Sequence, residues 1–597
     1  MLIRRALPLT LTLLVSALCA STAGAEKTVS GVVLPHNLKL VATKSAASAA
    51  VPSATTESGN EIRNSPEHDR QFDKQITGSI SPARVPAAKA PTPADKAVRP
   101  GTATGFDGLT HRNERLADGG NQFSSEPPDQ GLAVGNLFIV EAVNTALRFR
   151  KTDGTAGVTL SLNKFFGLPS AIIRGANPVF GPFTSDPKAY YDPDVKRFFV
   201  TMLEIDQDAA TGAFQGHSSV LIAVSKTSDP NGDWYIYSLD TTNDGTNGTP
   251  VHAGCPCLGD QPLIGADANG FYVSTNEFPL FSAGFHGAQV YAMSKTALAA
   301  GAIAPTIVMF TPGALEEGIS YTLQPATTPP GGSYETANGG TEYFMSALDF
   351  TGGLDNRIAV WALTGTSTLN TTPSLTLRYA IVASQVYGQP PAMQQKDGSL
   401  FLAGLIRTGV FGKPAVEHLP LIESNDDRMN QTIYAAGKLW CALNTVVKPS
   451  NGPVRTGIAW FAVTPSWTGA NLAGSIANQG YISVNRHSVA FPSAAVNTAG
   501  KGIIAFSLIG PDYYPSAAYV TLDSSGTSDV LLAKAGTEPD DGFTGYVTFS
   551  GRAGRWGDYS AATTDESGNV WFATEYIPGG DRTVLANWGT YIGKVVP

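Results

Sequence analysis

The sequence predicts an all-β chain, a β-propeller of about seven four-stranded blades that follows a signal peptide and a disordered N-terminal segment. Three observations lead there. A two-strand phrase with a turn at its centre recurs from about residue 106 to residue 597. Further short strands fill the intervals between its copies, and long amphipathic helices are nearly absent, which together are the pattern of radial repetition.

Residues 1–25 read as an export signal. Arg4 and Arg5 precede an apolar run from Leu7 to Ala20, and Ala23, Gly24 and Ala25 supply a small-residue cleavage site. Leu18 before Cys19 speaks against lipid attachment there. Residues 26–105, above all from about Thr43 to Thr104, are rich in Ala, Pro, Ser, Thr and Lys, as in "RVPAAKAPTPADKAVRPGTATG". Such a stretch buries too little apolar surface to offset its ordering entropy, so it reads as a disordered stalk or pro-segment. Residues 106–597 read as the propeller domain, because no second linker of this kind interrupts them. No later stretch reaches the ~20 uninterrupted apolar residues of a membrane span. The expected location is therefore secreted or periplasmic, and the expected state a monomer.

A formal charge of −9, with no Lys/Arg cluster in the expected folded region, excludes a nucleic-acid partner. An acidic surface suits a neutral, cationic or metal-bridged partner. Beyond the signal only Cys255, Cys257 and Cys441 remain, too few for a disulfide-built scaffold.

The repeated phrase is clearest in "PPDQGLAVGNLFIVEAVN" from Pro127, "SDPKAYYDPDVKRFFVTMLEID" from Ser185, "GDQPLIGADANGFYVSTNEF" from Gly259 and "GDYSAATTDESGNVWFATEY" from Gly557. Looser copies begin at Leu323, Met429 and Phe491. Each has a polar residue beside Pro or Gly, a small-residue strand, a turn of Asp, Asn and Gly, and an aromatic or β-branched strand ending in polar residues. Residues 385–424 are open between an insertion and a degenerate eighth blade. "GTYIGKVVP" at the end reads as a strand that closes a blade with N-terminal chain and removes an exposed edge. The competing architecture is a pair of stacked β-sandwiches, which recurrence of one phrase disfavours.

These phrases, with "VLIAVSKTSDPNGDWYIYSLD", resemble secreted bacterial β-propeller proteins of mostly unassigned function that are distantly sialidase-like. The resemblance covers nearly all of the chain after the stalk and implies architecture rather than activity. "SDPNGDW" at 228–234 is similar to a sialidase Asp-box turn, but is one residue longer and occurs once.

Asp129, Asp186, Asp260 and Asp558 share one aligned place in four copies, with Gln324, Asn430 and Ser493 in the others. In a propeller such positions converge at one mouth of the channel. Converging carboxylates repel unless they share a cation, such as calcium, or a proton, so a metal site or an acid–base pair is one reading. The other is that each aspartate caps its own turn by accepting backbone N–H groups. A second set, Glu204, Asp206, Asn276, Glu277, Asp349, Asn444 and Glu575, ends the next strand and either lines the opposite end of the channel or marks where the strand meets water.

His252, Cys255 and Cys257 lie close together in "HAGCPCLGDQP" and admit a Cys255–Cys257 bridge, pairing with Cys441, inert cysteines or a soft-metal site. "DTTNDGTNG" at 240–248 partly imitates a calcium loop but lacks the closing Glu. Trp234, Trp361, Trp440, Trp460 and Trp571 sit in strand phrases and read as core, whereas Trp556 sits in a loop phrase and is the candidate glycan platform. Nothing matches a zinc-protease helix, a nucleophile elbow or a phosphate loop. The leading expectation is a binding or scaffolding propeller with a glycan or an extracellular protein as ligand at the channel mouth. The alternative is a carbohydrate-active hydrolase or lyase that uses two of Asp186, Asp260 and Asp558. An arginine cluster for a sialic-acid carboxylate is not evident.

Overall fold

A computed structural model describes residues 27–63, 89–348, 353–449 and 452–597. The expected signal peptide and Asp349 lie outside the described residues. Strands take up 51% and helices 9%, so the protein is mostly β.

Each copy of the phrase supplies the first two strands of an antiparallel four-stranded sheet. In the first sheet these are Gly131–Gly135 and Phe138–Val143, followed by Ala146–Lys151 and Ala156–Ser161. The later sheets begin with Phe183–Asp192, Cys257–Ala266, Gln324–Thr327, Met429–Ala435, Ser488–Val496 and Ala561–Thr564. These innermost strands touch one another in chain order and the last touches the first, a propeller-like ring around one axis.

Burial follows radial position. Gly270–Pro279 and Gly287–Ser294 are buried at every residue, because neighbouring sheets cover both faces; their sequences are accordingly apolar without clean alternation. The outer strand Asn471–Ile482 alternates instead between exposed and half-buried positions. Trp234, Trp361, Trp440, Trp460 and Trp571 are all nearly inaccessible in the cores between sheets.

The innermost sheet edges meet at the axis, and the outer edges of five sheets are covered by chain from residues 27–110, most of which composition assigns to a stalk. Lys27–Val29, Gly31–Leu34 and Leu38–Ser45 pair with outer strands of the fourth, third and second sheets. Val98–Pro100 pairs with the sixth, and Thr104–Thr110 supplies the fourth strand of the last sheet beside Gly589–Val595. The described parts of 26–105 are thus ordered against the sheets, contrary to the expectation of disorder. The reason is that isolated apolar residues such as Leu34 and Leu38 need only a groove and an unpaired edge, and both are supplied by sheets far along the chain.

Residues 385–424 contribute the end of the outer strand Thr376–Gly388, but build no four-stranded sheet of their own. They carry the helix Phe401–Thr408 and the short strand Leu421–Ile422, which pairs in parallel with Ala553–Gly554. Leu402 and Ile406 of the helix pack on Phe543, Tyr546 and Leu585. Met393 and Ile422 pack with Trp556, Trp588 and Phe491, the last at the start of an innermost strand. Together these segments form a cap over the end of the ring where the innermost strands begin.

Leu38 is fully buried between the second and third sheets. Leu38→Ala is expected to lower the unfolding free energy by about 2–5 kcal/mol in denaturant titrations. A loss below about 0.5 kcal/mol would show that the N-terminal strand does not dock there.

Candidate functional site

Every innermost strand is entered through a residue with positive φ: Asp129 (47°), Asp186 (55°), Gln261 (49°), Thr322 (45°), Gln431 (31°), Phe491 (59°) and Gly557 (29°). Bulges follow in four sheets, between Ser185 and Lys188, Asp260 and Leu263, Asn430 and Ile433, and Ala490 and Ser493. Each breaks the ladder and turns the strand start toward the axis. The structural equivalence is therefore displaced by one residue from the aspartate alignment in two sheets: Asp260 precedes the turning residue and Asp558 follows it.

Despite that displacement, three of the four aspartates meet. Carboxylate oxygens of Asp129, Asp186 and Asp558 lie within 4.8 Å of one another, and all three side chains are buried. Asp260 stands near enough that, with the other three, it helps raise the Tyr559 hydroxyl, for which burial is the largest cause. Three cations are interleaved. Arg555 lies 3.6 Å from Asp558, Lys188 sits over the Tyr559 ring, and Arg428 donates to Gln261 at 2.7 Å. Burial drives Lys188 well below the usual lysine range, while Asp129, Asp186 and Asp558 oppose this. Burial likewise raises Asp129, against Arg555 and the N–H groups that bind it.

The hydrogen bonds run between sheets. Asp129 accepts the Asp558 backbone N–H at 2.6 Å and the Asn144 side-chain amide at 2.7 Å. Asp558 accepts from Gln261 and from Asn425 of the cap, each at 2.8 Å. The Asn144 oxygen accepts the Asp186 N–H at 2.8 Å, which ties the first sheet to the second. The same device recurs twice: Asn276 accepts the Thr322 N–H at 2.8 Å and Asn444 the Phe491 N–H at 2.7 Å. Each of these asparagines sits at or just beyond the polar end of a phrase's second strand. It satisfies the N–H of the left-handed residue in the next sheet, which lies in a bulge at Asp186 and Phe491 and ahead of the strand at Thr322.

A cation fits this arrangement poorly. The spacing of the three carboxylates is suitable, but Asp129 and Asp558 already use their oxygens on N–H donors, and Arg555 stands against Asp558. Space is also short. The axial cavity lined by Lys188, Gln324 and Gln431 measures about 60 Å³, and a cavity beside Asn144 and Glu126 about 30 Å³. Ligand pockets are typically 300 Å³ or more, so these are too small for a sugar.

The second polar set lies at the same end of the ring, not the opposite one, because an antiparallel partner ends where the innermost strand begins: Asp260 faces Asn276 and Thr184 faces Glu204. Nor does most of the set mark contact with water, since Glu204, Asn276, Glu277, Asn444 and Glu575 are buried; Asp206, whose side chain is 50% exposed, is the member that does. Glu575 lies under the cap, its carboxyl pushed well up by burial and then by Asp540, Asp129 and Glu126. Glu204 accepts from Ser219 beside Asp206 and His217. Glu277 is apart from the axis, beside His252, His286 and the Cys255–Cys257 disulfide. Cys441 is a buried free thiol. Trp556 is corrected outright as a glycan platform: it is 2% exposed, and its indole N–H donates to Ser507, so it packs the underside of the cap. The calcium-like loop is a hydrogen-bonded turn in which Asp240 accepts from Thr242 and Asn247.

Lys188, Arg428, Arg555, Asn144 and Gln261 were not among the sequence candidates. Asn144 was within reach, since "FIVEAVN", "FYVSTN" and "LWCALN" end alike.

Asn144→Ala removes the acceptor for Asp186 and a donor to Asp129, and is expected to cost about 3 kcal/mol of stability in urea. A cost under about 1 kcal/mol would contradict the cross-sheet role. A pH effect is expected from the carboxyls under the cap. Burial raises Glu114 to about 8 and Asp540 to about 7, from 4.5 and 3.8. Groups raised on folding stabilise fully below their unfolded values, and lose that contribution as pH climbs through the folded ones. Burial lowers His111 to about 3, which opposes this only below its ordinary 6.5. Lys188, held well below its usual range by burial, works the other way up to the ordinary lysine pKa. From pH 6.5 to 8 the denaturant midpoint of the parent should therefore fall relative to that of Glu114→Gln, and a difference that stays constant across that window would contradict the raised Glu114.

No family model matches the chain, and no curated protein matches it. Among solved structures, a protein of unknown function from Dyadobacter fermentans is 12% identical over 71% of this chain and 97% of its own, with a TM-score of 0.32. An endo-arabinase from Bacteroides thetaiotaomicron is 9% identical over 69% and 94%, TM-score 0.23. The endosialidase of phage phi92 is 8% identical over 78% and 67%, TM-score 0.27. Likenesses this distant carry no weight for activity, and the propeller-like architecture rests on the sheet order and the ring of innermost strands.

Proposed function

We propose that the chain is an exported seven-bladed propeller that binds a glycan or an extracellular protein, and does not turn over a substrate at its axial aspartates. The blade count is supported by one four-stranded sheet for each copy of the phrase. Export is supported by Arg4, Arg5 and the apolar run after them, and by the Cys255–Cys257 bridge, a bond characteristic of compartments outside the cytoplasm. No helix among the described residues is long and apolar enough to cross a membrane.

The observation that carries the reading is that Asp129, Asp186, Asp260 and Asp558 are at most 4% exposed and lie beneath a cap. A glycosidase pair must stand about 5–9 Å apart across the scissile bond and be open to substrate. Packed carboxylates that accept from neighbouring sheets hold the mouth together instead. The ligand surface assigned here is the outer side of the cap, where Phe401, Val410, Val416 and Val547 are 50%, 61%, 80% and 72% exposed. Phe401, Val410 and Val416 come from the segment 385–424 and Val547 from a second segment packed against it, and exposed apolar side chains gathered in this way suit a contact surface.

The secreted chain should therefore capture a ligand from glycan and peptide arrays, and Val416→Asp with Val547→Asp should weaken that capture at least about tenfold. Cleavage of a polysaccharide that is abolished by Asp260→Asn or Asp558→Asn in a folded variant would replace this reading with the hydrolase or lyase one.

A further inference from the structure

We propose that Cys255–Cys257 is a thiol–disulfide exchange site: a thiolate of an exported partner attacks Cys255, and Cys257 leaves toward His286. The inference is independent of the ligand surface on the cap.

The bridge closes a loop of two residues' separation, and the entropic stabilisation from a cross-link grows with loop length, so its value as a structural staple is small. The strand it precedes is already fixed. Cys257 donates its N–H to the Thr242 carbonyl at 2.9 Å, and its strand pairs from Cys257 opposite Pro279 and Leu258 opposite Phe278.

The two sulfurs differ in access. Cys255 is half-buried, on a loop whose residues Val251, Ala253 and Gly254 are exposed, whereas Cys257 is fully buried. An incoming thiolate therefore reaches Cys255, which makes Cys257 the leaving group. The surroundings of Cys257 suit that role. Its Sγ lies 3.8 Å from His286 Nδ1, which also donates to Glu277 Oε1 at 2.8 Å. His252 Nδ1 donates to the same oxygen at 2.7 Å, and Asn243 donates to the other. Glu277 is thus a fixed post that holds two imidazoles beside the bridge. Burial alone would raise Glu277, but the two histidines outweigh it and hold the carboxyl below its usual range; Glu277 in turn raises His252. A ring nitrogen this close to a departing sulfur is placed to hand it a proton as the bond breaks. Cys441 takes no part: it is buried against Met345, and burial pushes its thiol up.

The step balances with a partner dithiol as reductant. The first partner thiolate forms an S–S bond to Cys255 Sγ, the Cys255–Cys257 bond breaks, and its electron pair leaves on Cys257, which takes a proton from the His286 side or from solvent. The partner's second thiolate then attacks its own sulfur in the mixed disulfide and expels the Cys255 thiolate, which is protonated. The partner ends as a disulfide and this chain as two thiols.

The test uses the whole secreted chain with glutathione and dithiothreitol as probes. Mass mapping after brief glutathione treatment should place the mixed disulfide on Cys255, and dithiothreitol should open the bridge faster in the native chain than in urea, where the histidines are dispersed. His286→Ala should slow native opening at least about tenfold and leave the rate in urea unchanged. A double Cys255→Ser, Cys257→Ser variant should melt within about 2 °C of the parent. Native opening slower than in urea, glutathione on Cys257, no effect of His286→Ala, or collapse of the double serine variant would each show a structural bridge and overturn the proposal.

Discussion

The structure depends on a constraint at the axis: strand starts that turn inward leave backbone N–H groups outside any ladder, and something in the neighbouring sheet must accept them. Asn144, Asn276, Asn444 and Asp129 do so for Asp186, Thr322, Phe491 and Asp558. A buried N–H without an acceptor costs a substantial fraction of a domain's net stability, so these contacts are conditions of the ring. They also run from one sheet to the next, which makes them the polar counterpart of the aromatic cores between sheets.

This constraint accounts for the acidic mouth. Asp129 and Asp558 are acceptors first, and Arg555 stands against Asp558 within the same buried volume. A carboxylate ring that looks catalytic in one dimension is then a lattice of sheet-to-sheet contacts. Breaking one member leaves an unmatched charge or donor, which is why such a lattice is costly to alter even where it does no chemistry.

Much of the architecture was legible in the chain, because the repeated phrase carries both its turn chemistry and its apolar strands. Copies of the phrase fall on innermost strands of the sheets, and Gly589–Val595 near the C-terminus does pair with Thr104–Thr110. What composition concealed was long-range pairing. Gly31–Leu34 and Leu38–Ser45 are short and become strands because Ile307–Phe310 and Asp233–Asp240 offer edges about two hundred residues or more along the chain. At the axis, Asp260 and Asp558 were matched by chemistry to Asp129 and Asp186, whereas the backbone matches Gln261 and Gly557 to them. Residue type does not report a positive φ unless it is glycine or asparagine, so the one-residue displacement had no sequence signal. Trp556 misled for a related reason, since a loop phrase buried under a cap resembles one exposed to solvent until the cap is in place.

The most direct measurement is native-state hydrogen exchange at the backbone amides of Asp186 and Asp558. If Asn144 and Asp129 hold these groups as part of the ring, both amides should exchange only through global opening, with the same free energy as Val273 in a middle strand. Exchange through local fluctuation, orders of magnitude faster than at Val273, would mean that the axial contacts do not bind the sheets together.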